Sequence, residues 1–209
     1  VGVVMSPFSL PVMQLGFDNY IELIYEEKDL FEYLMKVNEI FTVEWANAQL
    51  EAGATAICYF DPMSSPTVIP KEMYKSTGMT VAMRTLSAIK GPTATHFASA
   101  LTLPVIDDVI KTGTAIIGVS VDEDLALLKE SCRGKITVLG NLNGIEMRRW
   151  TEKEAEEAVR QVIRHAGRGG GLIISDTHGE IPWYVPDNVL MSLSEAVKKW
   201  GTYPLEWIE

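Results

Sequence analysis

The chain has 209 residues, 47% of them hydrophobic, and a formal net charge of −10. This length and hydrophobic content fit one folded domain. The acidic balance and the absence of a lysine and arginine cluster in the sequence argue against nucleic-acid and anionic membrane surfaces, because both require a basic face. No apolar run approaches the roughly 20 residues of a membrane span, and no secretory signal opens the chain. We therefore expect a cytoplasmic protein whose two cysteines, Cys58 and Cys132, are reduced.

Six strand-then-helix units can be followed along the chain. Apolar runs predict the strands, which lie within residues 1–8, 54–60, 92–95, 114–121, 137–140 and 172–175. After the first strand, apolar residues at a spacing of three or four predict a long helix with one buried stripe. That stripe consists of Leu30, Leu34, Val37, Phe41, Trp45 and Ala48. Gly53 is expected to end the helix.

The later helices are indicated by the residues that begin them. Pro70 suits a first helical turn, and short helices are expected after Leu103 and Asp124. Thr151 together with Glu154 has the pattern of a capping box at the start of the fifth unit's helix. A last helix is predicted from residue 186 onward.

Repeated strand–helix units predict parallel strands, which carry all their carboxyl ends to one side of the sheet. The pattern is that of a (β/α)₈ barrel, a fold that usually takes about 250 residues and eight units. We expect residues 1–209 to form a single domain, the carboxyl-terminal portion of such a barrel, with the first one or two βα units in a missing amino-terminal segment. The alternative is a doubly wound sheet, but the glycine-rich stretch 167–171 follows a helix and not a strand.

Five polar residues follow the predicted strands and are the candidates for chemistry: Asp61, His96, Asp122, Asn141 and His178. The imidazoles of His96 and His178 can converge at the barrel mouth, where they would bind zinc or act as acid and base. The alternative for each histidine is a hydrogen-bonded structural role. His165, near a helix end, is assigned no role.

The remaining candidates have both local and functional interpretations. Asp61 precedes Pro62 and is expected at the rim, as a turn cap or as a catalytic carboxylate. Asp122, Glu123 and Asp124 crowd one strand-to-helix junction, where one of them would cap the helix and another would point inward as ligand or base. Asn141 is a candidate catalytic residue, and the alternative for it is turn chemistry alone. The exposed aromatic pair at 183–184 is expected to wall the pocket and bind a cofactor through Trp183 and Tyr184.

Several short motifs give the chain a resemblance to a known family. They are Ser-Pro-Phe-Ser-Leu at 6–10, Gln-Leu-Glu-Ala-Gly-Ala at 49–54, Phe-Asp-Pro at 60–62, Gly-Asn-Leu at 140–142, His-Gly at 178–179 and Pro-Asp-Asn-Val at 186–189. Together they resemble the uroporphyrinogen decarboxylase superfamily over essentially the whole chain. The resemblance implies a (β/α)₈ barrel and one of two activities: cofactor-free decarboxylation of uroporphyrinogen, or corrinoid-dependent methyl transfer with a zinc-activated thiol.

The resemblance to the methyltransferase branch implies a zinc site with one ligand at His96 and another at His178. Ala98 stands where that branch has a cysteine, and Asp122 or Glu123 is the nearest oxygen ligand in the family's layout. The decarboxylase branch shares a histidine at position 178 but is expected to have a tyrosine where Met13 stands, a serine where Pro62 stands, and a cationic pocket.

We therefore expect a methyltransferase that moves a methyl group between a corrinoid on a partner protein and a small-molecule donor or acceptor. The alternatives are a decarboxylase-like lyase, with His178 and Asp61 handling protons, and a catalytically altered relative that binds a corrinoid or another small molecule. The first and last strands are expected to be open edges or to be covered by a second chain, as in a homodimer.

Overall fold

The computed structural model describes residues 1–177 and 181–208. Within those residues one parallel sheet has six strands in sequence order. The strands are β1 (Gly2–Met5), β2 (Ile57–Phe60), β3 (Thr93–His96), β4 (Ile116–Gly118), β5 (Thr137–Leu139) and β6 (Leu172–Ile173). All neighbouring strands pair in parallel, which confirms the predicted order and direction.

Helices connect the strands and cover one face of the sheet. They are α1 (Leu10–Leu15), α2 (Phe17–Glu26), α3 (Lys28–Glu51), α4 (Lys71–Ser76), α5 (Gly78–Ala88), α6 (Ile106–Lys111), α7 (Leu125–Cys132), α8 (Glu152–Ala166) and α9 (Asp187–Trp200). The capping box predicted at Thr151 and Glu154 is present at the start of α8. In the described part of the chain, no helix combines the length and the apolarity that crossing a membrane requires.

Strand register assigns each residue to one of the two faces of the sheet. Val4, Tyr59, Thr95 and Ile117 form one row across four strands and are buried. Val4 and Tyr59 pack with Ala46 of α3, so this row faces the helices. Side chains alternate along a strand, so the row one residue further on faces away from the helices. That second row contains Met5, Phe60, His96, Gly118 and Leu139.

The buried stripe of α3 differs from the predicted one. The residues that pack inward are Phe31, Met35, Asn38, Thr42 and Ala46. The predicted stripe lies one position away on the helix, and four of its members are about half exposed: Leu30, Val37, Phe41 and Trp45, at 52%, 46%, 55% and 51%. Thr42 and Ala46 are small enough to let the helix approach β1 and β2, and α3 therefore carries apolar residues on its outer face as well.

The sheet is an open arc in which β1 and β6 are the edge strands. Val3 of β1 is 57% exposed and Ile173 of β6 is 42% exposed. The prediction of open first and last strands is therefore confirmed.

Candidate functional site

The carboxyl ends of the strands bring four of the five predicted site residues to one edge of the sheet. Asp61 follows β2, His96 ends β3, and Asp122 and Asn141 come after β4 and β5. The fifth residue, His178, lies outside the described residues. The edge that carries these four residues is called the mouth below.

Asp61 is buried beneath the mouth instead of standing at its rim. Its side chain is 1% exposed. Oδ1 accepts hydrogen bonds from the hydroxyls of Ser6 at 2.5 Å and Ser9 at 2.7 Å, and Oδ2 accepts one from Ser64 at 2.6 Å. Burial raises the pKa of Asp61, and the three hydroxyl donors oppose that shift. The rim position expected from Pro62 is thus wrong.

The chain around Asp61 explains this burial. The proline after it begins a short 3-10 turn, residues 62–64, which brings the Ser64 hydroxyl under the carboxylate. Ser6 and Ser9 come from the loop after β1 and reach the same group. Asp61 therefore fastens the loop after β1 to the loop after β2. The sequence signal for this arrangement was the Ser-Pro-Phe-Ser motif at 6–9, to which no role was assigned.

His96 lies on the sheet face that points away from the helices. It is 5% exposed, and its ring stacks at a tilt on Phe60 with 5.8 Å between ring centroids. Gly118 provides the space for the ring, because a β-carbon at that position would lie 2.3 Å from His96 Cδ2. Nδ1 accepts a hydrogen bond from the Ala98 N–H at 3.0 Å. In the neutral imidazole the proton is therefore on Nε2, so that nitrogen can donate a hydrogen bond but cannot accept one.

The described residues supply only part of the expected zinc site, because His178 lies outside them. Zinc binding by an imidazole requires an unprotonated ring nitrogen, and the Nδ1 lone pair of His96 is engaged by the Ala98 N–H. Ala98 itself offers no side-chain ligand, and Asp122 is exposed. Across residues 1–177 and 181–208, no three histidine, cysteine, aspartate or glutamate side chains are grouped as metal ligands.

The three acidic residues after β4 take different roles. Asp124 is the N-cap of α7, where its Oδ1 accepts from Ala126 N and Leu127 N, each at 3.0 Å. Glu123 turns inward, and its carboxylate accepts from Thr102 N at 2.6 Å and Thr102 Oγ1 at 2.7 Å. The expected capping carboxylate and an inward carboxylate are therefore both present, but the inward one binds backbone and hydroxyl donors, and its expected role as a ligand or base stays a prediction. Glu123 fastens the loop after β4 to the loop after β3, so it acts as a structural tie.

Asn141 and Asp176 complete the part of the mouth above β5 and β6. The side chain of Asn141 is 9% exposed and donates from Nδ2 to Ser120 O at 3.0 Å. Asn141 also lines a cavity of about 490 Å³ together with Gln161 and His165. Asp176 is 6% exposed, and its backbone pairs with Leu142 beyond the end of the two strands. Sequence reasoning assigned Asp176 no role, although it lies in the polar run after the last strand.

The aromatic pair after β6 does not form the expected pocket wall. Trp183 is 99% exposed and Tyr184 is 60% exposed. The guanidinium of Arg148, from the loop after β5, lies 5.6 Å from the centroid of the Tyr184 ring. This cation–π contact was not expected from the sequence, because Arg148 and Tyr184 belong to different βα units. The rim here carries an exposed indole and a cation.

Comparison with known proteins identifies the family. Residues 1–200 match the family model described as uroporphyrinogen decarboxylase (URO-D). The chain belongs to the URO-D family. The uroporphyrinogen decarboxylase of Cupriavidus necator is 25% identical, with 94% of this chain and 57% of that protein covered. The methylcobamide:CoM methyltransferase of Methanosarcina barkeri is 22% identical over 68% of this chain and 42% of that protein.

Two solved structures show the fold of the chain. A methyltransferase from Methanosarcina mazei superposes with a TM-score of 0.87 at 17% identity, over 96% of this chain and 58% of that one. A B12-independent methionine synthase from Shewanella sp. W3-18-1 has a TM-score of 0.59 at 18% identity, over 79% and 56% of the two chains. The six-stranded arc is thus part of a (β/α)₈ barrel, as predicted. The chain spans little more than half the length of the Cupriavidus necator decarboxylase and of both solved chains.

Proposed function

We propose that this URO-D family protein transfers a methyl group between a corrinoid, presented at the mouth by a partner protein, and a small-molecule donor or acceptor. The observation that carries the proposal is the chemistry of the mouth. No lysine or arginine directly follows any strand in the described part of the chain; the residues there are Ser6, Asp61, Phe97, Val119, Gly140 and Ile174. A substrate with many carboxylates would need cations at these positions, whereas a thiol or a methyl ether would not.

His96 is the residue proposed to act on the small molecule. Transfer from a methylcorrinoid to a thiol would require the thiol to lose its proton to solvent, after which the thiolate sulfur would bond to the methyl carbon. A corrinoid held by the partner protein would supply the methyl group and would keep the electron pair of its bond to that carbon. With its proton on Nε2, His96 would donate a hydrogen bond to the thiolate, or to an oxygen that leaves when the methyl group moves in the opposite direction. No step is assigned to zinc.

The test follows the visible spectrum of methylcobalamin mixed with the full-length protein and a panel of thiols, with and without added zinc. We expect thiol-dependent conversion to the cob(I)alamin spectrum. His96→Ala should slow this conversion by about 100-fold, which is the low end of the rate contribution of an acid–base group. His96→Gln should retain part of the rate, because its side-chain amide keeps a hydrogen-bond donor. An unchanged rate in His96→Ala would remove His96 from the proposal. Binding of cobalamin without any transfer would instead identify a catalytically altered binding protein.

The second candidate is decarboxylation of uroporphyrinogen, which one feature of the rim favours. Arg148 places a guanidinium beside Tyr184 and provides a cation for a carboxylate substrate. Incubation of metal-free protein with uroporphyrinogen, followed by chromatography of the porphyrins, decides between the two activities. If decarboxylation occurs, Arg148→Ala should weaken it. Arg149→Ala is the matched control, because Arg149 pairs with Glu146.

A further inference from the structure

A second cavity lies at the amino ends of the strands, on the opposite side of the sheet from the mouth. Its volume is about 350 Å³. It is bounded by Ala115 before β4, by Thr137 at the start of β5 and by the glycines at 169–171 that lead into β6. Three cations line it as well: Lys129, Arg133 and Lys135. We call it the basic pocket.

Lys129 is the buried member of the three cations. It is 5% exposed, and its ammonium donates to the carbonyl of Gly170 and, at 2.9 Å, to that of Gly171. These bonds use two of its three donors and leave one for a ligand. Burial and the neighbouring charge of Arg133 lower the pKa of Lys129. An anion in the basic pocket would offset both effects.

The glycines keep the wall of the pocket free of side chains. Gly169, Gly170 and Gly171 all have positive φ angles, at 81°, 73° and 66°, which residues with a β-carbon rarely adopt. A β-carbon on Gly171 would also lie 3.0 Å from the Lys129 ammonium. The backbone of this loop can therefore approach a ligand closely.

The charge of the basic pocket is not neutralised by the protein. None of its three cations forms an ion pair with a carboxylate among residues 1–177 and 181–208. The chain as a whole has a formal charge of −10, so the positive charge of the basic pocket is opposite in sign to the net charge of the protein. Arg133 and Lys135 are exposed, and their side chains can close on a bound anion.

We propose that the basic pocket binds a phosphate group, either inorganic phosphate or the phosphate of a small ester. Arginine holds two phosphate oxygens with its planar pair of donors, while lysine contributes a compact charge. Arg133 and Lys135 would supply these contacts at the entrance of the pocket. The third donor of Lys129 would bind a phosphate oxygen from the buried side of the pocket. The site is independent of the methyl-transfer proposal, because it lies at the other end of the strands.

Calorimetric titration of the full chain with inorganic phosphate, and separately with glycerol phosphate, tests this site. The double variant Arg133→Ala/Lys135→Ala should bind at least 10-fold more weakly than the wild type. Lys90→Ala/Lys153→Ala is the charge-matched control, since it removes two lysines from other parts of the surface and should leave the affinity unchanged. Thermal unfolding of each variant confirms that it is folded.

The competing explanation is that Lys129 only ties the glycine loop to α7. Equal affinity in the wild type and Arg133→Ala/Lys135→Ala, or equal weakening by the control pair, would support that explanation and overturn the proposal. Binding of inorganic phosphate alone would identify a free-ion site, and tighter binding of glycerol phosphate would identify an ester site. Gly171→Ala should also weaken binding, because its methyl group would crowd the ammonium.

Discussion

The side-chain amide of Gln49 pairs with both backbone groups of Val3 at the open edge of β1. Gln49 Oε1 accepts from Val3 N at 3.0 Å, and Gln49 Nε2 donates to Val3 O at 3.1 Å. Thr42 Oγ1 donates to Met5 O at 3.2 Å further along the same strand. Gly2 leaves room for this contact, since a β-carbon there would lie 2.6 Å from Gln49 Oε1. Side chains of α3 thus make hydrogen bonds that a neighbouring strand would otherwise make.

Replacing Gln49 should open this edge to other chains. Gln49→Ala frees the N–H and C=O of Val3, and unpaired strand edges promote association. We expect a loss of about 1 kcal/mol in the free energy of unfolding. We also expect more dimer or aggregate as the protein concentration rises, measured by sedimentation velocity. Gln161→Ala, which removes an amide from α8, should leave the mass distribution unchanged. Identical distributions for the two variants would show that Gln49 does not protect the edge.

The half-exposed apolar residues of α3, which include Phe41 and Trp45, form an outer stripe on this helix. This outer stripe should also drive self-association. Phe41 and Trp45 are about half exposed, so the double change Phe41→Glu/Trp45→Glu removes apolar surface without emptying the core. We expect less oligomer in sedimentation velocity and a free energy of unfolding within about 0.5 kcal/mol of the wild type. Met35→Glu, on the buried face, should instead unfold the protein. A double variant as unstable as Met35→Glu would mean that the outer stripe is packed in solution.

The strands, their order and the capping box could be predicted because their signals are local. Apolar runs, a capping pattern and the alternation of strand and helix are each contained in a few neighbouring residues. The inner stripe of α3 could not be predicted, because periodicity identifies an apolar face but not the surface on which it packs. The burial of Asp61 depends on Ser6 and Ser9, which lie 55 and 52 residues earlier in the chain. The place of Arg148 beside Tyr184 likewise results from packing between two units.

The carboxylate of Asp61 should stabilise the fold mainly as an acceptor. In Asp61→Ala, the hydroxyls of Ser6, Ser9 and Ser64 lose their shared partner, and we expect a loss of about 2–4 kcal/mol. Asp61→Asn keeps an oxygen acceptor and should lose less. Urea unfolding followed by circular dichroism measures both variants. Equal losses would show that the volume of the side chain, and not its oxygen atoms, matters at this site.

The difference in stability between the wild type and Asp61→Asn should depend on pH. The pKa of Asp61 in the folded state is raised, mainly by burial, so ionisation of this group weakens the folded state. The resulting loss in the free energy of unfolding is absent below the pKa that Asp61 has in the unfolded chain. It grows as the pH rises through the higher folded-state pKa, and it is complete above that value. Between these two pKa values, the wild type should therefore lose stability relative to Asp61→Asn as the pH rises. A constant difference between them across the interval would contradict the raised pKa.

Adding a methyl group at Gly118 should displace His96. The new β-carbon would lie 2.3 Å from His96 Cδ2, so the ring must move. We expect Gly118→Ala to change the imidazole signals of His96 in nitrogen-edited NMR spectra and to lower methyl transfer at least 10-fold. Gly91→Ala is the control, since its β-carbon meets only the flexible end of Leu50 at 2.8 Å, away from the mouth. Unchanged His96 signals in Gly118→Ala would show that the ring tolerates the methyl group.

Zinc binding should respond to the residue at position 98. We expect the wild type to purify with less than one zinc per chain, because Ala98 offers no ligand and the Nδ1 of His96 is engaged. Ala98→Cys supplies a thiolate, a ligand that zinc prefers, and should raise the zinc content and its retention against a chelator. Ala98→Ser, with a harder oxygen at the same place, should raise it less. One tightly held zinc per wild-type chain would contradict the description of this donor set.

The carboxylates of Asp61, which is buried, and of Glu123, which is half-buried, imply that the loops of the mouth open in pairs. Asp61 joins the loops after β1 and β2, and Glu123 joins those after β3 and β4. A fluctuation that lifts one loop of a pair must break the hydrogen bonds that hold the other. Backbone amides such as Ser9 N and Met63 N, which donate to Ser6 Oγ and Ser9 Oγ, would then exchange with solvent deuterium with a common opening free energy.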